Sequence, residues 1–146
     1  NGRDVSREIR TEKVTSLVPL YCQSPAVRTA MIKKQREAAK DASVVLEGRD
    51  IGTVVFPDAK YKFFITASIE ERAKRRALDF EKIGRSATLE KLMSEIEERD
   101  RIDTTRSESP LVKASDAIEI DTTGLTPEEQ ADKIVKIVKQ GQSRSV

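Results

Sequence analysis

An arginine beside an aspartate in a glycine-bracketed loop, Gly48-Arg49-Asp50-Ile51-Gly52, is the first place where this sequence offers ligand chemistry. Glycines permit tight turns and close approach of a ligand to the backbone. Arginine's planar fork can grip a phosphate through two hydrogen bonds, and a carboxylate can accept from an amino group or hydroxyl. The loop's plainer reading is a polar turn whose charges pair with neighbours or water. A second cluster, Arg99-x-x-x-Asp103-x-x-Arg106 with Asp100 and Arg101 interleaved, has i, i+4 and i, i+3 spacing. On a helix these three charges share one face. An exposed ladder of ion pairs, worth roughly 0–1 kcal/mol each, has the same spacing. The basic run with Arg72, Arg75 and Arg76 can touch a phosphate or stack on a purine. Its plainer reading is a solvated face balanced by Glu70, Glu71, Asp79 and Glu81. Arg28 by itself is uninformative.

The chain has no histidine and a single cysteine, Cys22. That excludes an internal disulfide, a Cys/His zinc site and any histidine-based triad or proton shuttle. Arginines at separate loops and helix ends, with carboxylates close by and no nucleophile–base pair, favour positioning and charge neutralisation over covalent chemistry. Phosphoryl transfer works mainly that way.

The elements that must position these residues follow from the apolar pattern. Val44 to Leu46 is a short apolar run bounded by turn residues, which predicts a buried strand over 44–47. The arginine–aspartate loop then lies at its carboxyl end, where open α/β sheets bind ligands. The chain returns to apolar residues at Val54, Val55 and Phe56 before Pro57 stops it. Tyr61–Thr66 and Ala117–Asp121 predict two further strands.

Helices are expected to start at Ser24-Pro25, with serine as cap and proline at the first position, and at the capping box Ser68/Glu71, running to about Phe80. Gly84 ends that helix or the loop after it. Leu89, Leu92, Met93 and Ile96 are spaced for an amphipathic helix that continues into the Arg99 cluster. Thr126-Pro127-Glu128-Glu129 launches a last helix, expected to end at Gly141 with a loose tail to Val146. Residues 1–13 are polar and 15–21 mixed, leading into a loop. Three strands alternating with helices predict an α/β fold with a parallel sheet.

With 146 residues, 37% hydrophobic and 36% charged, the chain suits one domain with a modest core. A net charge of +2 makes no strong case for nucleic acid. No apolar run approaches the roughly 20 residues that span a bilayer. With no signal-peptide pattern at the start, the expectation is a soluble cytoplasmic protein. The sequence begins abruptly at Asn1-Gly2 without a methionine, so the expectation is that further sequence precedes it.

Gly48-Arg49-Asp50-Ile51-Gly52-Thr53-Val54-Val55-Phe56-Pro57-Asp58-Ala59, Phe64-Ile65-Thr66-Ala67-Ser68 and Glu71-Arg72-Ala73-Lys74-Arg75-Arg76 resemble bacterial cytidylate kinases. So do Ile96-Glu97-Glu98-Arg99-Asp100, Asp103, Arg106, Pro110-Leu111 and Asp121-Thr122-Thr123. Gly2-Arg3-Asp4-Val5 and Glu8-Ile9-Arg10-Thr11 resemble the approach to that family's CMP-binding insert. The resemblance spans nearly the whole chain, and 48–59 is its most specific stretch.

It implies phosphoryl transfer from ATP to CMP or dCMP with Mg²⁺. By position, Arg49 and Arg106 resemble the phosphate-holding arginines, and Arg28 and Asp50 the cytosine-reading pair. Arg99 and Asp103 resemble residues near the sugar and the transferred phosphoryl group. Arg72, Arg75 and Arg76 resemble part of the lid over ATP. The implied organisation is 1–43 as CMP-binding insert and following helix, and 44–67 as core strands and substrate loop. Residues 68–106 are then basic helix, lid and amphipathic helix, and 107–146 core strand and C-terminal helix.

The implied fold is a phosphate-loop nucleoside monophosphate kinase, a three-layer α/β/α parallel sheet, monomeric when full length. Two features depart from the family. Leu17–Cys22 differs from its small-residue run, with Pro19 near the position of a base-reading polar residue. No G-x-x-x-x-G-K-[ST] occurs in these 146 residues. That loop holds the ATP phosphates and Mg²⁺, so these residues alone are expected to lack useful kinase activity. The loop's strand would lie between 44–47 and 61–66, so both flanking edges are expected to be unpaired.

Overall fold

A computed structural model describes residues 2–143. The chain order is α1 (Glu12–Tyr21), α2 (Pro25–Ala38), β1 (Phe63–Thr66), α3 (Ile69–Lys82), α4 (Leu89–Thr105), β2 (Ile118–Asp121) and α5 (Pro127–Ser143). A 3₁₀ turn, Glu8–Arg10, precedes α1, and a π turn, Ile51–Val55, lies between α2 and β1. The expected loose tail beyond Ser143 lies outside the described residues.

The sheet is parallel, as alternating strands and helices predict. β1 and β2 run in register from Phe63↔Ile118 to Thr66↔Asp121. The ladder extends past both ends, with Ile118 N donating to the Lys62 carbonyl and Thr122 N to the Thr66 carbonyl. Ile120 is its most deeply buried apolar side chain.

The third expected strand does not form among the described residues. Residues 44–47 have no ladder partner, and Val45 is fully exposed at 102%. A strand needs a neighbour to take up its backbone N–H and C=O groups, and an apolar sequence cannot supply one. Among the described residues the sheet accordingly has two strands.

The helices follow their local signals more closely. Ser68 Oγ accepts from Glu71 N at 3.1 Å, starting α3 with Glu70 and Glu71 in its first turn. Gly84, at φ +70°, takes the left-handed conformation after the helix, and Arg85 N closes back on the Phe80 carbonyl at 2.9 Å. Thr88 caps α4 through Lys91 N. α3 and α4 pack on one another through Ala73, Leu92 and Ile96, with Phe80, Ala77, Ala87 and Met93 around them. Truncating a fully buried Leu92 to alanine would cost about 2–5 kcal/mol. At α5, Thr126 N donates to Glu129 Oε2 at 2.8 Å and Glu129 N to Thr126 Oγ1 at 3.2 Å, a complete capping box.

Three helix expectations need correction. The mixed stretch at 15–21 is helical, because Thr11 caps an α1 that begins earlier, at Glu12. Ser24 makes no side-chain cap bond, so Pro25, whose fixed φ suits a first helical turn, marks the start of α2. Gly141 does not end α5, which runs to Ser143. A Cβ there would stand 2.8 Å from Tyr61 Oη and 3.0 Å from its Cε1, so the glycine lets α5 lie against that ring.

Candidate functional site

The 48–52 loop is shaped by what stands around it. A Cβ on Gly48 would meet Ile51 Cγ1 at 2.9 Å, and one on Gly52 would meet the Lys62 stem at 3.2 Å. The loop leads straight into the π turn, in which Val54 N and Val55 N both donate to the Asp50 carbonyl and Phe56 N to that of Ile51. Val55 is buried. Two cations hold the turn and the residues after it from outside. Arg36 donates to the Val54 and Val55 carbonyls at 2.9 and 2.8 Å. Lys62 Nζ donates to the Pro57 carbonyl and pairs with Asp116.

Asp50 pairs through Oδ2 with Arg28 Nη2, and both side chains are largely buried. Arg28 Nη1 also reaches the Cys22 carbonyl at 3.4 Å, and its Nε is buried without a partner. Arg49 extends to α4, with Nε 3.2 Å from Asp103 Oδ2 and Nη1 3.8 Å from Asp100 Oδ1. Asp103 is buried at 8% exposure. Its Oδ1 takes Arg106 Nη1 at 2.9 Å, and Arg99 Nε lies 3.8 Å from Oδ2. Arg106 is further fixed by Nε donating to the Ser109 carbonyl at 2.8 Å, while its Nη2 is buried with no protein partner.

The 99, 103, 106 spacing therefore makes a buried carboxylate shared by three guanidinium groups, not an exposed ladder. Three cations around one anion leave local positive charge, which suits a phosphate. All six residues expected on the acceptor side, Arg28, Arg49, Asp50, Arg99, Asp103 and Arg106, line one cleft of about 980 Å³. Its walls also carry Val27, Met31 and Ile102, apolar surface on which a ring can lie.

The basic helix divides. Arg76 lines this cleft, pairs with Glu95 at 3.2 Å and sits over Phe80. Arg72 and Arg75 are not among the lining residues. Arg72 pairs with Asp100 at 2.5 Å. Arg75 pairs with Glu71 at 2.9 Å and donates to the Thr122 carbonyl at 2.6 Å, joining α3 to the end of β2. Thr122 is itself buried and donates to the Thr66 carbonyl.

Sequence reasoning gave no role to Asp100, which bridges Arg49 and Arg72, or to Arg10 and Arg85 on the cleft walls. Only the interleaved carboxylate of Asp100 was a usable signal. Pro19 lies within α1, and its side chain is outside the described set. Among the described residues no group of three His, Cys, Asp or Glu side chains could hold a metal ion, and no helix is long and apolar enough to cross a membrane.

A parallel α/β unit with an arginine-rich cleft beside a glycine-bracketed loop has the chemistry to hold a phosphate. Comparison with known proteins makes this specific. The cytidylate kinase family model matches residues 1–140, and the chain belongs to that family. It is 50% identical over 141 residues to a cytidylate kinase of Desulforamulus reducens, covering 97% of this chain and 64% of that protein. It is 51% identical to one from Geobacillus sp. strain WCH70, covering 96% and 62% respectively. For one from Geobacter sp. strain M21 the identity is 49%, covering 96% and 60%. The chain thus spans less than two thirds of the length of these curated relatives.

Proposed function

We propose that this chain forms the acceptor side of a cytidylate kinase, in which an oxygen of the CMP or dCMP phosphate attacks the γ-phosphorus of ATP and ADP leaves. The observation that carries the reading is convergence. Residues from α2, the 48–52 loop and α4 that resemble the family's acceptor set meet in one cleft.

Asp50 accepts from the cytosine amino group, and Arg28 donates to the ring acceptors beside it. Their mutual ion pair sets both orientations before the base arrives. Arg49 and Arg106 hold the CMP phosphate, with Arg106 Nη2 as an unused donor. Asp103 gathers Arg49, Arg99 and Arg106 so that their charges are fixed in advance, which is how positioning and electrostatics lower a phosphoryl-transfer barrier. Arg99 and Asp103 also face the sugar.

Arg76 lines the cleft beside Phe80 and Arg85 and belongs to the basic helix that the family resemblance assigns to the donor nucleotide. Arg72 and Arg75 brace the basic helix in their present pairing and reach ATP only if it moves. Mg²⁺ would neutralise charge on the transferred phosphoryl group. Among the described residues no group of three carboxylate, histidine or cysteine side chains could hold it. We infer that these residues alone bind CMP without useful turnover. A second reading is a pyrimidine-nucleotide-binding fragment that does not transfer phosphate. A related kinase with another acceptor is a third.

A coupled ADP-release assay on the full-length protein with CMP, dCMP, UMP and AMP tests the assignment, together with calorimetric titration of CMP. Preference for CMP and dCMP is expected. Equal rates with AMP would sink it, and CMP binding without turnover would select the fragment reading.

A further inference from the structure

We propose that Arg36 is a positioning residue for acceptor binding, holding the 51–55 turn, and through it Arg49 and Asp50, in register with α2. The inference rests on the acceptor reading above. Arg36 lies in the last turn of α2 and does not line the cleft. Its guanidinium reaches the turn instead, with Nε 2.8 Å from the Val55 carbonyl oxygen and Nη2 2.9 Å from that of Val54. These carbonyls sit at the closing end of the turn, where a helical segment leaves oxygens unpaired and gathers partial negative charge. A cation donating to both satisfies the oxygens and is favoured by that charge.

The opening end of the same turn is Asp50, and it is held by Arg28 from the first turn of α2. Arg28 and Arg36 stand eight residues apart on one helix, about 12 Å along its axis. The turn is therefore strapped to a rigid element at both ends. A π turn is a rare and short conformation with few bonds of its own, here three amides returning to Asp50 and Ile51. Lys62 anchors the chain further on, at Pro57, and cannot replace the bonds at 54 and 55. When Arg36 releases them, Asp50 keeps its partner while the backbone that aims Arg49 and Asp50 is free to shift.

The test compares Arg36→Ala and Arg36→Lys with the parent in the full-length protein. Loss of charge-assisted hydrogen bonds predicts a CMP KM about ten-fold higher in Arg36→Ala, with ATP KM unchanged and kcat within about three-fold. Arg36→Lys, which keeps one donor, lies between. In an Arg49→Ala/Asp50→Asn background the same Arg36→Ala change adds less than about two-fold, because both groups it positions are already gone. Hydrogen exchange at the amides of 54–56 is faster in Arg36→Ala. A merely structural role would lower the melting temperature and active fraction without this split. An unchanged CMP KM, CMP and ATP KM rising together, or unchanged exchange at 54–56 overturns the inference while leaving the acceptor reading standing. A parent protein that binds no CMP removes the acceptor reading and this role with it.

Discussion

Arg28 and Asp50, 22 residues apart in the chain, form an ion pair whose side chains are only 12% and 13% exposed. A buried pair of this kind is costly to break from one side, because the surviving charge is left without a counter-ion. Asp50→Asn is expected to destabilise the protein by about 3 kcal/mol and to weaken CMP binding more than about ten-fold. Adding Arg28→Met should recover much of the stability and none of the affinity. Urea unfolding and CMP titration of the two single variants and the double variant check this. Additive losses of stability would refute the coupling.

Arg106 braces a buried carboxylate and, in the proposed reading, also holds the CMP phosphate. Its Nη1 neutralises the buried Asp103, but Asp103 keeps Arg49 at 3.2 Å when Arg106 is removed. Arg106→Ala is expected to cost about 1–3 kcal/mol of stability. Its effect on kcat should be far larger, about 10²–10³-fold, as for loss of a preorganised donor to transition-state charge. Steady-state kinetics beside a melting curve separates the two. Turnover near the parent's would remove the phosphate-holding role.

Gly141 distinguishes propensity from packing. In an open helix, glycine to alanine gains about 1 kcal/mol. Here the new Cβ would meet Tyr61 Oη at 2.8 Å. Gly141→Ala should be near neutral as the two effects offset, and Gly141→Val should destabilise by about 1–3 kcal/mol. Pairing each with Tyr61→Leu should relieve the clash, leaving Gly141→Ala stabilising. Differential scanning calorimetry of the four variants reads this directly.

Two exposed turns should contribute to acid sensitivity. Glu129 is held below its usual 4.5 by the Thr126 backbone N–H and then the Thr126 hydroxyl. Asp121 is held below 3.8 by the Thr123 N–H and then its hydroxyl. Both folded pKa values are depressed, so their stabilisation is complete above those usual values and lost as pH falls through the lower folded ones. Urea midpoints should be flat down to about pH 5 and then fall as pH drops below 4.5, with a shallower fall in Glu129→Gln. An identical acid slope in that variant would rule out its share.

What the sequence determined by itself was local. Ser68/Glu71 and Thr126/Glu129 formed their capping boxes, and Gly84 took its left-handed turn. The 99, 103, 106 spacing put its charges on one face, because each signal acts within a few residues. The types of the proposed acceptor residues were also legible, and they lie together in one cleft.

Tertiary structure decided the rest. Residues 44–47 are as apolar as a strand, yet form none without a ladder beside them, since backbone pairing is set by distant neighbours. Gly141 looks like a helix end and is instead a point of contact, because Tyr61 lies 80 residues away in sequence. Asp103 could have belonged to a solvated ladder. Arg49, from a loop on the other side of the cleft, helps turn it into a buried anion shared by three guanidinium groups. Arg36 gave no signal at all, because its partners are backbone carbonyls, which every residue carries and only the fold can aim.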